Sequence, residues 1–315
     1  MACRRRLYAP ILLVLLLGAG AAELPASAAP TRAPADASDC VAHGVLRSGG
    51  AQIRLRFEPD GFAVGAPAIC NWIARAATAV SGYFGRFPVP ELQILIEPVS
   101  GGGVDGGSTY GYGPRTVVRL GRSATVAELD NDWVMTHELV HLAVPSVPEE
   151  SHWLEEGIAT YVEPVARVQA GQLGAAGIWA DMFQDMPKGL PRPGDQGLDR
   201  TPTWGRTYWG GALFCLLADV AIREQTGNHK GLQDALRGVL AAGGDIRQDW
   251  PVAKVLEAGD RATGTKVLTA LYAQMGDKPG PQALDELWRR LGVSSSGLSA
   301  SAPLAAVRKA ITAPH

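Results

Sequence analysis

The 315-residue sequence predicts an α+β fold, with a small mixed-sheet lobe over 45–125 followed by a mostly helical lobe over 126–293. Two patterns carry this expectation. Alternating apolar residues, the mark of half-buried strands, occur at 52–57, 92–96 and 115–120 and nowhere later. From 127 onward apolar residues recur at helical spacing instead. About 285 residues beyond the first 28 suffice for one unit of two lobes with a substantial core.

Element by element, 52–57 reads as a strand, 66–84 as an apolar helix and 92–96 as a second strand. The glycine-rich stretch 101–113 reads as a flexible loop before the strand at 115–120. A nearly continuous apolar helix follows over 133–144, and Pro145 stops it. The chain turns through Pro148 and re-enters a helix near Ser151 or His152, where the Ser151 hydroxyl can cap the first turn. Residues 170–206, rich in glycine and proline, form a long irregular connection and a plausible cleft rim. A long apolar helix then runs from about 207 to 224, with others near 231–237, 264–276 and 282–291, and 294–315 reads as a loose tail.

The N-terminus points to export. Arg4-Arg5-Arg6 precedes an apolar run at 11–17 that is too short to span a bilayer, and Ala26-Ser27-Ala28 offers a cleavage site. Residues 1–28 are therefore expected to be a signal peptide, and 29–44 a linker rich in Ala, Pro and Asp. No later apolar run reaches membrane length. In an oxidising compartment Cys40 and Cys70 can pair, whereas Cys215 sits in an apolar helix and reads as a buried small hydrophobe. A net charge of −2 without a basic stripe argues against nucleic acid as partner. The sequence leaves the oligomeric state open.

Chemistry concentrates at His137-Glu138-Leu139-Val140-His141. Two imidazoles four residues apart share one helix face and can reach one metal ion, and Glu138 is placed to act on water beside that ion. A catalytic zinc takes three protein ligands and leaves a position open, so a carboxylate is wanted nearby. Glu155 and Glu156 both stand on the next helix, about 100° apart around its axis, and cannot face the metal equally.

These residues resemble the gluzincin metallopeptidases. Trp153-Leu154-Glu155-Glu156-Gly157-Ile158-Ala159-Thr160-Tyr161 after the His-Glu-x-x-His helix is similar to the aminopeptidase N-like and glycyl aminopeptidase-like families. The resemblance implies a thermolysin-like zincin domain, one zinc ion per chain held by His137, His141 and Glu156, and Glu138 as general base. Thr207-Tyr208-Trp209-Gly210-Gly211-Ala212 resembles a helix start whose tyrosine supports the oxyanion, which implies that role for Tyr208, with Tyr110 and Tyr112 as weaker competitors. It further implies that an edge strand binds the backbone of a peptide or protein substrate, a part that 115–120 would play. Two departures stand out. Fourteen residues separate His141 from Glu156, where aminopeptidase N-like enzymes usually have about eighteen. The upstream Gly-x-Met-Glu-Asn segment of those exopeptidases is also missing, so trimming of ends and internal cutting both remain open. The expected function is a secreted zinc peptidase; the alternative is an exported zinc-binding module of the same fold without hydrolysis.

Overall fold

The computed structural model describes residues 37–280 and 283–314. The expected signal peptide and residues 29–36 of the expected linker lie outside these. The first described element is not linker: Ser38–His43 forms helix α1. Cys40 on α1 is bonded to Cys70, thirty residues on. The pairing left open by the sequence is therefore formed, and it anchors a segment whose composition alone favours no structure.

Strands β1 (Val45–Ser48) and β2 (Ala51–Arg56) form a hairpin, and helix α2 (Ala66–Phe84) follows. Strands β3 (Glu91–Val99), β4 (Val104–Tyr110) and β5 (Arg115–Gly121) complete a mixed sheet in the order β1-β2-β3-β5-β4. The β2–β3 and β3–β5 pairs are parallel, whereas β1–β2 and β4–β5 are antiparallel. Two expectations change here. The glycine-rich stretch is strand β4, and it is β4, not the strand at 115–120, that forms the sheet edge. β5 lies between β3 and β4, so its ladder is used on both sides. β4 survives its low strand propensity because six residue pairs with β5, from Val104–Leu120 to Tyr110–Arg115, hold it in place.

Helix α3 (Val126–Asn131) starts at a capping box in which Thr125 and Glu128 satisfy each other's backbone amides. Helix α4 (Val134–His141) carries the pentad and is buried along almost its whole length. Asp132 starts this helix, its carboxylate accepting from the amides of Val134 and Met135 at 3.0 Å each. Helix α5 (Trp153–Gln169) begins one residue after His152, and Ser151 does not cap it. The Ser151 hydroxyl instead donates to Asp199 Oδ1 at 2.7 Å, so tertiary contact wins over the local cap.

Helix α6 (Ala175–Asp185) interrupts the expected irregular stretch, and a π-helical turn (Gly205–Gly210) leads into α7 (Gly211–Gln225). Helices α8 (Leu232–Ala241), α10 (Val267–Met275) and α11 (Leu284–Leu291) lie close to expectation, and α9 (Val252–Thr263) is a helix that the sequence reading did not place. The segment after 293 is not loose. Strands β6 (Val293–Ser294) and β7 (Gly297–Leu298) make a small hairpin, and helix α12 (Ala305–Thr312) buries Val307 and Ile311 against the body. Helix α2 joins the two lobes: it packs on β1 and on α4 and α5. Ile69, Ile73, Ala77 and Val80 of α2 are fully buried. Among the described residues, no helix is long and apolar enough to cross a membrane.

Candidate functional site

Helices α4 and α5 cross so that three donor atoms converge. His137 Nε2 and His141 Nε2 lie 3.3 Å apart, and Glu156 Oε2 lies 3.1 Å from the first and 3.7 Å from the second. The donor atoms of these three residues all fall within 4.8 Å of one another. The alternative ligand, Glu155, is occupied elsewhere: its Oε1 accepts from the Val147 amide at 2.8 Å and pins the loop after α4. The same loop pairs with a later segment, where the Ser146 amide donates to Gln248 O and the Trp250 amide to Ser146 O, both at 2.9 Å. The fourteen-residue connection between His141 and Glu156 is thus held at Ser146 and Val147.

The crossing of α5 with the start of α7 depends on glycine. A Cβ at Gly157 would lie 2.3 Å from the Gly211 Cα, and one at Gly211 would lie 2.3 Å from the Trp153 carbonyl oxygen. Only two facing glycines permit that approach. It brings the π-helical turn, and with it Tyr208, beside His137. The Tyr208 ring lies 6.4 Å from the His137 ring, nearly parallel to it, and Tyr208 lines the same cleft. π-helical turns of this kind recur at functional sites because they re-aim side chains. Burial, with Glu156 and Glu138 nearby, raises the Tyr208 phenol above its ordinary value, so its O–H stays a donor at neutral pH.

Glu138 sits beside the three donors, 7% exposed. Edge strand β4 fixes its carboxylate from the other side. Thr109 Oγ1 donates to Glu138 Oε2 at 2.7 Å, and Thr109 and Thr116 form a cross-strand pair whose hydroxyls are 3.1 Å apart. With the Thr109 proton given to Glu138, Thr116 is the donor in that pair. At Gly107 a Cβ would stand 2.6 Å from Glu138 Cγ, so this position must be glycine for the strand to lie against the carboxylate. Burial raises the Glu138 carboxyl, partly offset by Thr109 and His137.

The protonation states suit a cation. Burial, aided by His137, pushes His141 down to about 3, which leaves its imidazole neutral at pH 7. Burial alone would raise Glu156, yet hydrogen bonds from His137 and His152 outweigh it and hold the carboxyl below the ordinary carboxylate range. A neutral imidazole beside an ionised carboxylate is the state from which a divalent metal is ligated. Two imidazoles and one carboxylate are, moreover, a standard donor set for a catalytic zinc, and softer thiolate donors are absent from the cluster.

The cleft above these groups measures about 630 Å³ and runs from β4 to Tyr208 and Ile246. Its rim carries the exposed aromatics Trp133 and Tyr110, and Trp204 packs on Tyr208 at 5.9 Å between centroids. Of the competing tyrosines, Tyr110 lines the cleft but Tyr112 points away and donates to Asp249 at 3.0 Å. The sequence reading did not single out two residues that the structure places against Glu138 and Glu156, Thr109 and His152. A signal existed for each: His152 stands one helical turn before Glu156, and Thr109 faces Thr116 once β4 is recognised as a strand.

No protein-family model matches the chain, and no curated protein matches it in sequence. Solved structures do match. An aminopeptidase N family protein from Idiomarina loihiensis superposes with a TM-score of 0.50 at 16% identity, over 84% of this chain and 47% of that one. An M1 zinc metallopeptidase from Deinococcus radiodurans gives a TM-score of 0.46 at 19% identity, over 75% of this chain and 52% of that one. The chain spans about half the length of the solved structures it matches, 47% and 52% respectively. It therefore has the fold of an aminopeptidase N family structure, with His137, His141 and Glu156 clustered at its cleft as the gluzincin resemblance leads one to expect.

Proposed function

We propose that the chain is an exported, zinc-dependent peptidase that binds one zinc ion and hydrolyses peptide bonds in peptide or protein substrates. The observation that carries the reading is the convergence of His137, His141 and Glu156 within 4.8 Å, on the wall of a cleft that also holds Glu138. Zinc held by those three residues supplies Lewis acidity to water and to a carbonyl in the cleft.

The chain's own groups supply the rest. Glu138 Oε2 is engaged by Thr109, so Oε1 is the oxygen left to take a proton from the attacking water. It then returns that proton to the leaving amine. The Tyr208 hydroxyl donates to the carbonyl oxygen as negative charge grows there. Among the described residues no strand pairs with the outer side of β4, so an extended peptide can add there and carry its scissile bond past Glu138. The exposed Trp133 and Tyr110 on the rim give apolar substrate side chains a place to pack. A binding module without hydrolysis would have no use for a glutamate oriented by a threonine pair, which favours the enzymatic reading.

Metal analysis combined with turnover tests it. About one zinc per chain is expected, lost on His137→Ala and retained on Glu138→Gln, while Glu138→Gln abolishes hydrolysis. A protein that takes up no zinc, or a Glu138→Gln variant that still turns over, would refute the proposal.

A further inference from the structure

The two oxygens of Glu156 face different partners. Oε2 points at the imidazole pair, 3.1 Å from His137 and 3.7 Å from His141. Oε1 points the other way, 3.2 Å from Nε2 of His152. His152 is part of neither the pentad nor the resemblance, and its side chain is 46% exposed, while that of Glu156 is 11% exposed. If it were an ordinary surface pair one turn apart on a helix, it would contribute little. What sets it apart is the buried carboxylate and the way the turn bearing His152 is held.

Both neighbours of His152 are tied to one carboxylate. Ser151 Oγ and Trp153 Nε1 each donate to Asp199 Oδ1 at 2.7 Å, and Tyr272 Oη donates to Asp199 Oδ2 at 2.7 Å. The His152 carbonyl accepts the Glu156 amide at 3.2 Å, so main chain and side chain join the same two residues. The imidazole thus meets Glu156 from a turn whose flanking residues are both tied to Asp199. Once a metal takes the lone pairs of His137 and His141, their Nε2 atoms cannot donate to Glu156. The donor that still faces the carboxylate is then the Nε2–H of His152.

We propose that His152 is a positioning residue of the metal site, whose Nε2–H holds Glu156 Oε1 so that Oε2 alone is presented to the ion. The inference rests on the zinc-site reading above. It adds that the site's affinity depends on a histidine that does not touch the metal. Hydrogen-bonded partners of ligating carboxylates have this effect elsewhere, and their removal costs roughly 10–100-fold in metal affinity.

Zinc affinity of the full chain, measured by competition with a chromogenic chelator at fixed pH, tests this without reference to activity. His152→Ala is expected to weaken zinc binding by about 10–100-fold. His152→Gln keeps an N–H donor and is expected to recover most of that loss. In a Glu156→Ala background, where no carboxylate remains to be held, His152→Ala is expected to weaken zinc no further. The inference is overturned if His152→Ala binds zinc like the wild type, if His152→Gln is folded yet as weak as His152→Ala, or if the losses add in the Glu156→Ala background. A thermal melt of each metal-free variant identifies misfolding, and should His152→Ala not fold, the His152→Gln comparison decides. A wild-type chain that takes up no zinc removes the underlying reading and this inference together. A zinc-binding wild type with an indifferent His152 removes this inference alone.

Discussion

Replacing Gly157 by alanine should damage the site more than the fold. The added Cβ would stand 2.3 Å from Cα and C of Gly211, whereas ordinary contact begins at 3.4 Å. Helix α5 and the start of α7 must therefore separate by about 1.1 Å, since backbone offers no rotamer to turn away. Overpacking of this kind costs roughly 1–3 kcal/mol. For a chain of this size that is a fall in Tm of about 1.5 °C per kcal/mol. Glu156 precedes Gly157 on α5 and Tyr208 precedes Gly211 on the other side of the contact, so the separation moves one against the other. A misplacement near 1 Å costs about 100-fold in rate. The assay is kcat/KM on a peptide substrate at saturating zinc, set beside a thermal melt. The control is Gly177→Ala, at an exposed position of α6 where a Cβ meets nothing within 4 Å. That change should leave activity intact and add up to about 1 kcal/mol of helix propensity. If Gly157→Ala matches Gly177→Ala in both rate and melting, the close crossing does not hold the site together.

Other expectations follow from individual contacts. Tyr208→Phe should lower kcat by a factor corresponding to about 2.7–4 kcal/mol with little change in KM, as steady-state kinetics on the zinc-loaded protein would report; an unchanged kcat removes Tyr208 from the chemistry. Thr109→Val should lower kcat while zinc content stays constant, because it frees Glu138 Oε2 without touching a ligand, and Thr109→Ser should restore the rate. Equal rates in the Val and Ser variants would show that the hydroxyl is idle. Reducing the Cys40–Cys70 bond, which closes a loop of thirty residues, should lower stability by roughly 3–4 kcal/mol in melts with and without reductant. The buried Cys215 thiol, pushed up by burial, should stay unreactive to alkylating reagents until the chain unfolds.

The legibility of this protein in its sequence divides along physical lines. The pentad is local: helical periodicity alone puts His137 and His141 on one face, and the structure brings them within 3.3 Å of each other. The choice between Glu155 and Glu156 is not local, because it turns on Val147, eight residues earlier, claiming Glu155. Strand β4 was hidden by Gly106 and Gly107, which weaken any strand signal and are needed for close approach to Arg119 and Glu138. The edge role followed the same error, since with β4 unseen β5 reads as the border of the sheet. Helix α1 is held by a disulfide partner thirty residues away, which composition does not report. Helix α12 did carry a signal, in the helical spacing of Leu304, Val307 and Ile311, which the reading of 294–315 as a loose tail passed over. Thr109 and His152 contact residues already identified, and such contacts emerge only when distances are known.

Cleavage of a mixed peptide library by the zinc-loaded chain, with products weighed by mass spectrometry and the zinc-loaded Glu138→Gln variant run in parallel, tests the central claim most directly. The account predicts discrete hydrolysis products from the wild type and none from Glu138→Gln at equal zinc content. Their masses would also tell trimming of ends from internal cutting. An intact library after incubation with the zinc-loaded wild type, or the same products from both proteins, would contradict it.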